Sequence, residues 1–105
     1  MPPTPPDRTD AQRAAALAKA RHTREVWAGI KRQVAAGELD LATVFARADR
    51  DETIANLKVL KVLESLPNIG KIRSRRLLGD LGISESRRLR GVGERQRERL
   101  LERLS

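Results

Sequence analysis

The sequence predicts an all-α fold, with a long N-terminal helix followed by a compact helical domain. Apolar side chains recur at spacings of three and four, which is the period of an α-helix. Proline and glycine separate these segments and mark the turns between them. A chain of 105 residues has room for one compact domain with a modest core. We therefore expect a Pro-rich disordered tail over residues 1–8, an N-terminal helix over 9–37, and a helical domain over 38–105.

The first helix is predicted from its caps and its apolar stripe. Thr9 or Asp10 is a suitable N-cap, and Gly37 is a C-terminal stop. One stripe runs along the helix through Ala16, Ala20, Thr23, Trp27, Ile30 and Val34. A neighbouring face carries Arg13, Arg21, Arg24, Lys31 and Arg32. That face fits either the solvated flank of an amphipathic helix or a basic arm laid against nucleic acid.

In the middle of the chain, residues 40–67, the sequence pattern predicts two short helical stretches followed by a buried helix. Asp40 caps a helix that runs to about Ala48, and Asp51 starts a short stretch that includes Ile54 and Leu57. Residues 57–67 read LKVLKVLESLP and are apolar over most of the helix circumference. A helix of this kind is expected at the centre of the core. The proline at its end stops it.

A tight turn and a new helix follow the buried helix. Residues 67–70 read Pro-Asn-Ile-Gly, and the next helix is expected to start near Gly70. The unpaired amides at a helix start carry the positive end of the helix dipole and form a phosphate site, with Lys71 beside them. Gly82 ends this helix. We expect the apolar side chains to pack inward, namely Ile69, Ile72, Leu77, Leu78 and Leu81. The basic ones are left for solvent or ligand, namely Lys71, Arg73, Arg75 and Arg76.

A second connecting segment precedes the last helix. In residues 83–93, ISESRRLRGVG, Ser84 can cap a single turn that contains Arg87 and Arg88. Leu89 would anchor this segment, and Arg90 and Gly91 would close it. The last helix is predicted from Glu94 to Leu104, with Leu100, Leu101 and Leu104 packed. Its charged residues alternate in sign at helical spacing, which predicts a solvated, self-paired surface.

Charge indicates the chemistry of the partner. Lys and Arg exceed Asp and Glu by 22 to 14, and 13 of the basic residues but only 6 of the acidic ones lie in residues 53–105. This excess, mostly Arg, suits forked contacts to a polyanion. The only aromatics are Trp27 and Phe45, which argues against base stacking. With no Cys and one His, neither a metal site nor a cofactor is expected. No apolar run spans a membrane and no signal peptide is evident, which predicts a cytoplasmic protein.

Three segments together resemble a known family. They are QRAAALAKA at 12–20, KVLKVLESLPNIGK at 58–71, and GISESRRLRGVG at 82–93. Two helices joined by two successive Gly- and Arg-rich turns form a helix–two-turns–helix motif. The order and spacing of these segments resemble the actinobacterial type of integration host factor, over roughly residues 9–104.

The resemblance implies a monomeric nucleoid-associated protein, not an enzyme. It implies an N-terminal lid helix and duplex DNA bound through backbone contacts, with bending or compaction of the duplex and support of phage integrase complexes. By position, the main phosphate cradle would be Asn68, Ile69, Gly70 and Lys71. The second contact would be Arg87 and Arg88, and the lid would contribute Lys31 and Arg32. The candidate DNA-binding set also includes their neighbours Arg73, Arg90 and Gly91.

Three other functions compete with this interpretation. The first is an RNA-binding ribosomal-type protein with the same motif, although the chain lacks a long basic tail. The second is an enzyme related to base-excision glycosylases, in which Pro2 would become the nucleophile. No Glu follows Pro2, and a nucleophile needs a positioned partner. The third is a domain that binds only other proteins.

Overall fold

The computed structural model describes residues 9–105, which form six α-helices and one 3-10 turn. The predicted tail, residues 1–8, lies outside the described residues. Within 9–105 the only extended pairing is one isolated bridge between Lys58 and Arg88, so the all-α prediction is confirmed. The helices are α1 Asp10–Ala35, α2 Leu41–Ala48, α3 Glu52–Ala55, α4 Val59–Ser65, α5 Gly70–Asp80 and α6 Glu94–Leu104, and the 3-10 turn is Leu89–Gly91.

Helix α1 begins at a capping box. The Thr9 hydroxyl accepts a hydrogen bond from the Gln12 amide at 3.1 Å, and the Gln12 side chain accepts one from the Thr9 amide at 2.8 Å. Its 26 residues span about 39 Å. Only the second half packs on the domain, where Ile30 and Val34 are buried. Nearly all of the first half is exposed, so this part of α1 projects beyond the core.

Helix α4 is the centre of the core, as predicted, but it is shorter than the pattern suggested. It packs against α1 and α5, and four of its seven residues are buried. Leu57 and Lys58, expected to be helical, instead lie between α3 and α4. The Leu57 carbonyl accepts a hydrogen bond from the Leu89 amide at 2.9 Å, and the Val59 amide donates to the Arg87 carbonyl at 3.0 Å. These long-range hydrogen bonds flank Lys58, whose backbone is extended, and α4 starts only after it.

The predicted caps of the short helices are present. The Asp40 carboxylate accepts from the Thr43 amide at 2.8 Å at the start of α2, and this contact with Thr43 lowers the pKa of Asp40. The Asp51 carboxylate accepts from the Thr53 amide at 2.9 Å at the start of α3. None of the helices in the described part of the chain is long and apolar enough to cross a membrane.

The prediction of a self-paired α6 surface is wrong for two of its arginines. Arg97 pairs with Asp49 at the end of α2 through two hydrogen bonds of 3.0 Å, and it lies 4.6 Å from the centre of the Phe45 ring. Arg103 pairs with Asp80 at the end of α5 at 3.1 Å. Both pairs join α6 to another helix, because acidic partners unrelated by helical spacing lie within reach.

Candidate nucleic-acid interface

The turn between α4 and α5 is open to solvent. Asn68 and Gly70 both adopt left-handed backbone conformations, with φ of 70° and 73°. Pro67, Asn68, Gly70 and Lys71 are exposed, and Ile69 is half-buried against the domain. Among residues 9–105 no side chain caps α5, and the first turn of α5 holds no acidic residue. The backbone amides that begin this helix are therefore available to an anion.

Ser74, on the buried face of α5, is hydrogen-bonded to the first residue of that helix, and it was not among the residues predicted from the sequence. Its side chain is completely buried, and its hydroxyl donates a 2.6 Å hydrogen bond to the Gly70 carbonyl. A polar residue in an apolar environment needs such a partner. The bond ties the start of α5 to the buried face of the helix, so the exposed amides are held in one geometry. A serine among core positions was the available signal.

Basic side chains surround the start of α5. Lys71, Arg73, Arg75 and Arg76 are all exposed, as predicted. Arg75 forms an ion pair with Glu85 at 3.0 Å. On another side, Arg73 and Arg76 line a shallow cleft of about 250 Å³ together with Arg103 from α6. Arg103 belongs to the cationic surface only because the fold brings the end of α6 beside α5.

Ile72 contradicts its predicted placement. It was expected to pack inward, but it is 77% exposed. The buried face of α5 is formed by Ser74, Leu77 and Leu78. At 100° per residue, Ile72 points away from that face. The chain therefore presents a large aliphatic side chain among the cations of α5.

The second connecting segment is bonded into the fold. The Arg87 amide donates to the Ser84 carbonyl at 3.0 Å, which closes the predicted turn. The Arg87 guanidinium donates to the Gly91 carbonyl at 2.9 Å, and the side chain is half-buried. A Cβ at Gly91 would meet the Arg87 side chain at 2.8 Å, so a larger residue here would force Arg87 to move. Arg90 is exposed and lies 3.6 Å from Glu52.

Arg88 is the outward-facing member of the arginine pair. It bridges to Lys58 in an antiparallel arrangement whose hydrogen bonds flank the pair rather than join it. In that geometry the two side chains stand close together on one face. Arg88 also lines a groove of about 220 Å³ with Lys19 and Trp27 of α1. Lys19 and Lys58 were not among the predicted site residues, because only the fold places them beside Arg88.

The two candidate residues of the N-terminal helix lie near its C-terminal end. Lys31 is half-buried and Arg32 is exposed, near the end of α1. Helix α1 packs on α3 and α4. Trp27 fixes this packing, since its indole N–H donates to the Thr53 carbonyl at 2.7 Å. The structure thus places three groups of predicted residues on a common helical scaffold.

Comparison with known proteins defines the class of this fold. Residues 34–104 match the model of the S13-like H2TH domain, where H2TH denotes helix–two-turns–helix. A solved structure of sIHF bound to an 8-base-pair palindromic DNA superimposes with a TM-score of 0.80 at 35% identity, covering 84% of this chain and 99% of that one.

Curated relatives define the family more narrowly. The integration host factors of Mycolicibacterium smegmatis and Mycobacterium tuberculosis are each 43% identical over 97 residues, which is 92% of this chain and 92% of theirs. That of Streptomyces coelicolor is 41% identical over 91% of this chain and 86% of its own. The chain belongs to the integration host factor family. It is accordingly not an enzyme.

Proposed function

We propose that this protein binds duplex DNA mainly through the sugar–phosphate backbone. The observation that carries the proposal is the exposed, uncapped start of α5, with Lys71 beside it and Ser74 holding it from beneath. Amides and a cation in this arrangement neutralise and orient a phosphate. The similar sIHF structure, which holds DNA, supports this partner.

The remaining candidate residues divide into direct and supporting roles. Asn68 and Ile69 shape the turn, and Arg73 extends the phosphate contact along α5. Arg88, Lys58 and Lys19 form a second cationic contact, which Arg87 and Gly91 hold in place and Arg90 borders. Lys31 and Arg32 on the lid helix form a third. Contacts to phosphate fix position but carry little sequence information, so preference comes from DNA shape and deformability.

The biological role that follows is architectural. A monomer with separate cationic contacts on one scaffold bends or compacts duplex DNA in the nucleoid of the cytoplasm. The same bending would support the assembly of a phage integrase complex, as the name shared by the relatives suggests. A net charge of +8 strengthens attraction to any duplex.

The salt dependence of binding tests the phosphate contact. If roughly four to eight phosphates are neutralised, the log–log slope of affinity against salt should be about −4 to −7. Lys71→Ala should weaken binding to unrelated duplexes alike and reduce the slope by about 1. Arg47→Ala, which removes one exposed cation from α2, is the matched control. A slope near zero for the parent protein would overturn the proposal.

Structured RNA is the second candidate partner, and the S13-like class of the H2TH domain is the observation that favours it. Competition between duplex DNA and folded RNA of equal charge separates the two. We expect duplex DNA to displace RNA. Preferential retention of RNA would favour the ribosomal-type function instead.

A further inference from the structure

Ile72 is the one apolar side chain on an otherwise cationic surface. It is 77% exposed, and in the described part of the chain only Leu17 joins it as an exposed large hydrophobic residue. It lies on the outer face of α5 in the first turn, directly after the exposed Lys71. Leaving so large an aliphatic group in water is unfavourable, so a contact that covers it would add to the affinity of a partner.

The charged residues on either side of Ile72 indicate which kind of partner would cover this side chain. At 100° per residue, Lys71 and Arg75 lie on one flank of Ile72, and Arg73 and Arg76 lie on the other. All four are exposed, and Arg75 alone of them forms an ion pair within residues 9–105. Two rows of cations with an aliphatic side chain between them are complementary to the two sugar–phosphate backbones of a duplex with the stacked bases between them.

The minor groove of duplex DNA has this shape. It is about 6 Å wide, which admits one side chain between the two backbones, whereas the wider major groove admits a whole helix. Proteins that bend DNA from the minor groove insert aliphatic side chains between base steps. Gly79 lies near the same line of the helix as Ile72, two turns further on, and a Cβ there would meet no atom of another element of residues 9–105 within 4 Å. This line of α5 is therefore unobstructed at Gly79 as well as at the exposed Ile72.

We propose, on the basis of the phosphate binding argued above, that Ile72 is an apolar wedge that enters the minor groove. The amides of α5 and Lys71 hold a phosphate on one strand, and Arg73 and Arg76 face the other strand. The side chain of Ile72 then inserts between two neighbouring base pairs, partly unstacks them and so bends the duplex at that base step. Pyrimidine–purine steps such as TA unstack most easily, so Ile72 gives the protein a preference for flexible steps.

The test compares Ile72→Ala with Leu17→Ala. Each variant removes one exposed aliphatic side chain from a helix, and both helices should tolerate alanine. Thermal unfolding checks that each variant folds. Affinity is measured by fluorescence anisotropy on duplexes of about 20 base pairs with a central TA step or a G·C-rich centre. Energy transfer between end-labelled strands reports bending. Ile72→Val, which keeps a branched aliphatic group, serves as the conservative variant.

We expect Ile72→Ala to lose about 10-fold in affinity for the TA duplex, most of its preference over the G·C-rich duplex, and most of the bending signal. Its salt slope should match the parent, because no phosphate contact is removed. Ile72→Val should retain most of the affinity and bending, and Leu17→Ala should resemble the parent. Unchanged affinity and bending in Ile72→Ala, or an equal loss in Leu17→Ala, would overturn the wedge.

The wedge and the phosphate contact fail in different ways. If the parent shows a steep salt slope while Ile72→Ala binds and bends as the parent does, only the wedge is wrong. If the parent shows no salt slope, the phosphate contact fails and the wedge fails with it.

Discussion

The two turns of the helix–two-turns–helix motif use their polar groups in opposite ways. The first turn, residues 67–70, leaves the amides at the start of α5 uncapped and its cations exposed. The second, residues 84–91, is bonded to itself and to the segment that precedes α4. Here the Arg87 guanidinium donates to the Gly91 carbonyl, whereas Lys71, directly after the first turn, forms no ion pair within residues 9–105.

The difference shows that the two turns of one motif, each containing glycine and each with basic residues in it or directly after it, can serve different purposes. At the first turn, the backbone amides that begin α5 are free to bind a ligand. The start of the helix is stabilised from its buried face, where the Ser74 hydroxyl bonds to the Gly70 carbonyl. In the second, Arg87 stabilises the segment itself, and Arg88 is left to face outward beside Lys58. Variants of the exposed cations that follow the first turn should therefore act on binding, and variants at Arg87 should act on folding as well.

The largest effect is expected from removing two unpaired cations that follow the first turn in α5. The double variant Lys71→Ala and Arg73→Ala should bind duplex DNA roughly 10- to 100-fold more weakly, since each lost charge-assisted contact is substantial. Its thermal stability should stay close to that of the parent, because both side chains are exposed. Anisotropy titrations and thermal unfolding measure the two quantities. A large loss of stability would contradict the distinction between the two turns.

Gly70 tests whether the first turn depends on its backbone conformation. With φ of 73°, Gly70→Ala should lower the free energy of unfolding by about 1 to 2 kcal/mol and weaken DNA binding. The strain is local to the backbone, because the added Cβ meets no atom of residues 9–105 within 4 Å outside the adjacent residues and the helix's own backbone. Gly70→Asn should lose less of both, because asparagine tolerates the left-handed region. Chemical denaturation and DNA-binding titrations compare the stability and the affinity of the two variants. Equal losses in Gly70→Ala and Gly70→Asn would contradict a requirement for the left-handed backbone conformation.

Arg87 tests the second turn. Arg87→Ala should lower the free energy of unfolding by about 1 kcal/mol, through the lost hydrogen bond to Gly91 and the lost packing. Arg88→Ala is the control: its exposed side chain should contribute little to folding and more to binding. Urea denaturation of both variants gives the comparison. If Arg88→Ala proved the less stable of the two, the roles assigned to the arginines would have to be exchanged.

The smallest effect concerns pH. The hydrogen bond from Arg97 lowers the pKa of Asp49 in the folded state, below its unfolded value of about 3.9. The ion pair therefore contributes its full stability above that value and loses it as pH falls through the folded pKa. Asp49→Asn should be less stable than the parent at neutral pH and should lose less stability on acidification. Thermal unfolding between about pH 5 and pH 2 measures this.

Glu98→Gln, an exposed carboxyl of α6, is the control for the pH series and should follow the parent. Identical acid profiles for Asp49→Asn and the parent would mean that the Arg97 pair has no part in the pH dependence.

The sequence determined the elements that depend on near neighbours. Helix ends are set by caps within three or four residues, so Thr9, Asp40 and Asp51 were predictable as N-caps and Gly82 as a stop. The exposed start of α5 followed in the same way from the Pro-Asn-Ile-Gly turn and Lys71. The order of the three motif segments was enough to identify the family.

Only the tertiary structure decided the features that join distant parts of the chain. Lys58 is extended and outside α4 because the neighbouring Leu57 carbonyl and Val59 amide bond to Leu89 and Arg87, and Arg97 pairs with Asp49, 48 positions away. Ile72 faces outward because the face of α5 that packs on the core carries Ser74, Leu77 and Leu78, and Ile72 lies on the opposite side. Helical periodicity reports which residues share a face of one helix, but the face that is covered depends on the neighbours that pack against it.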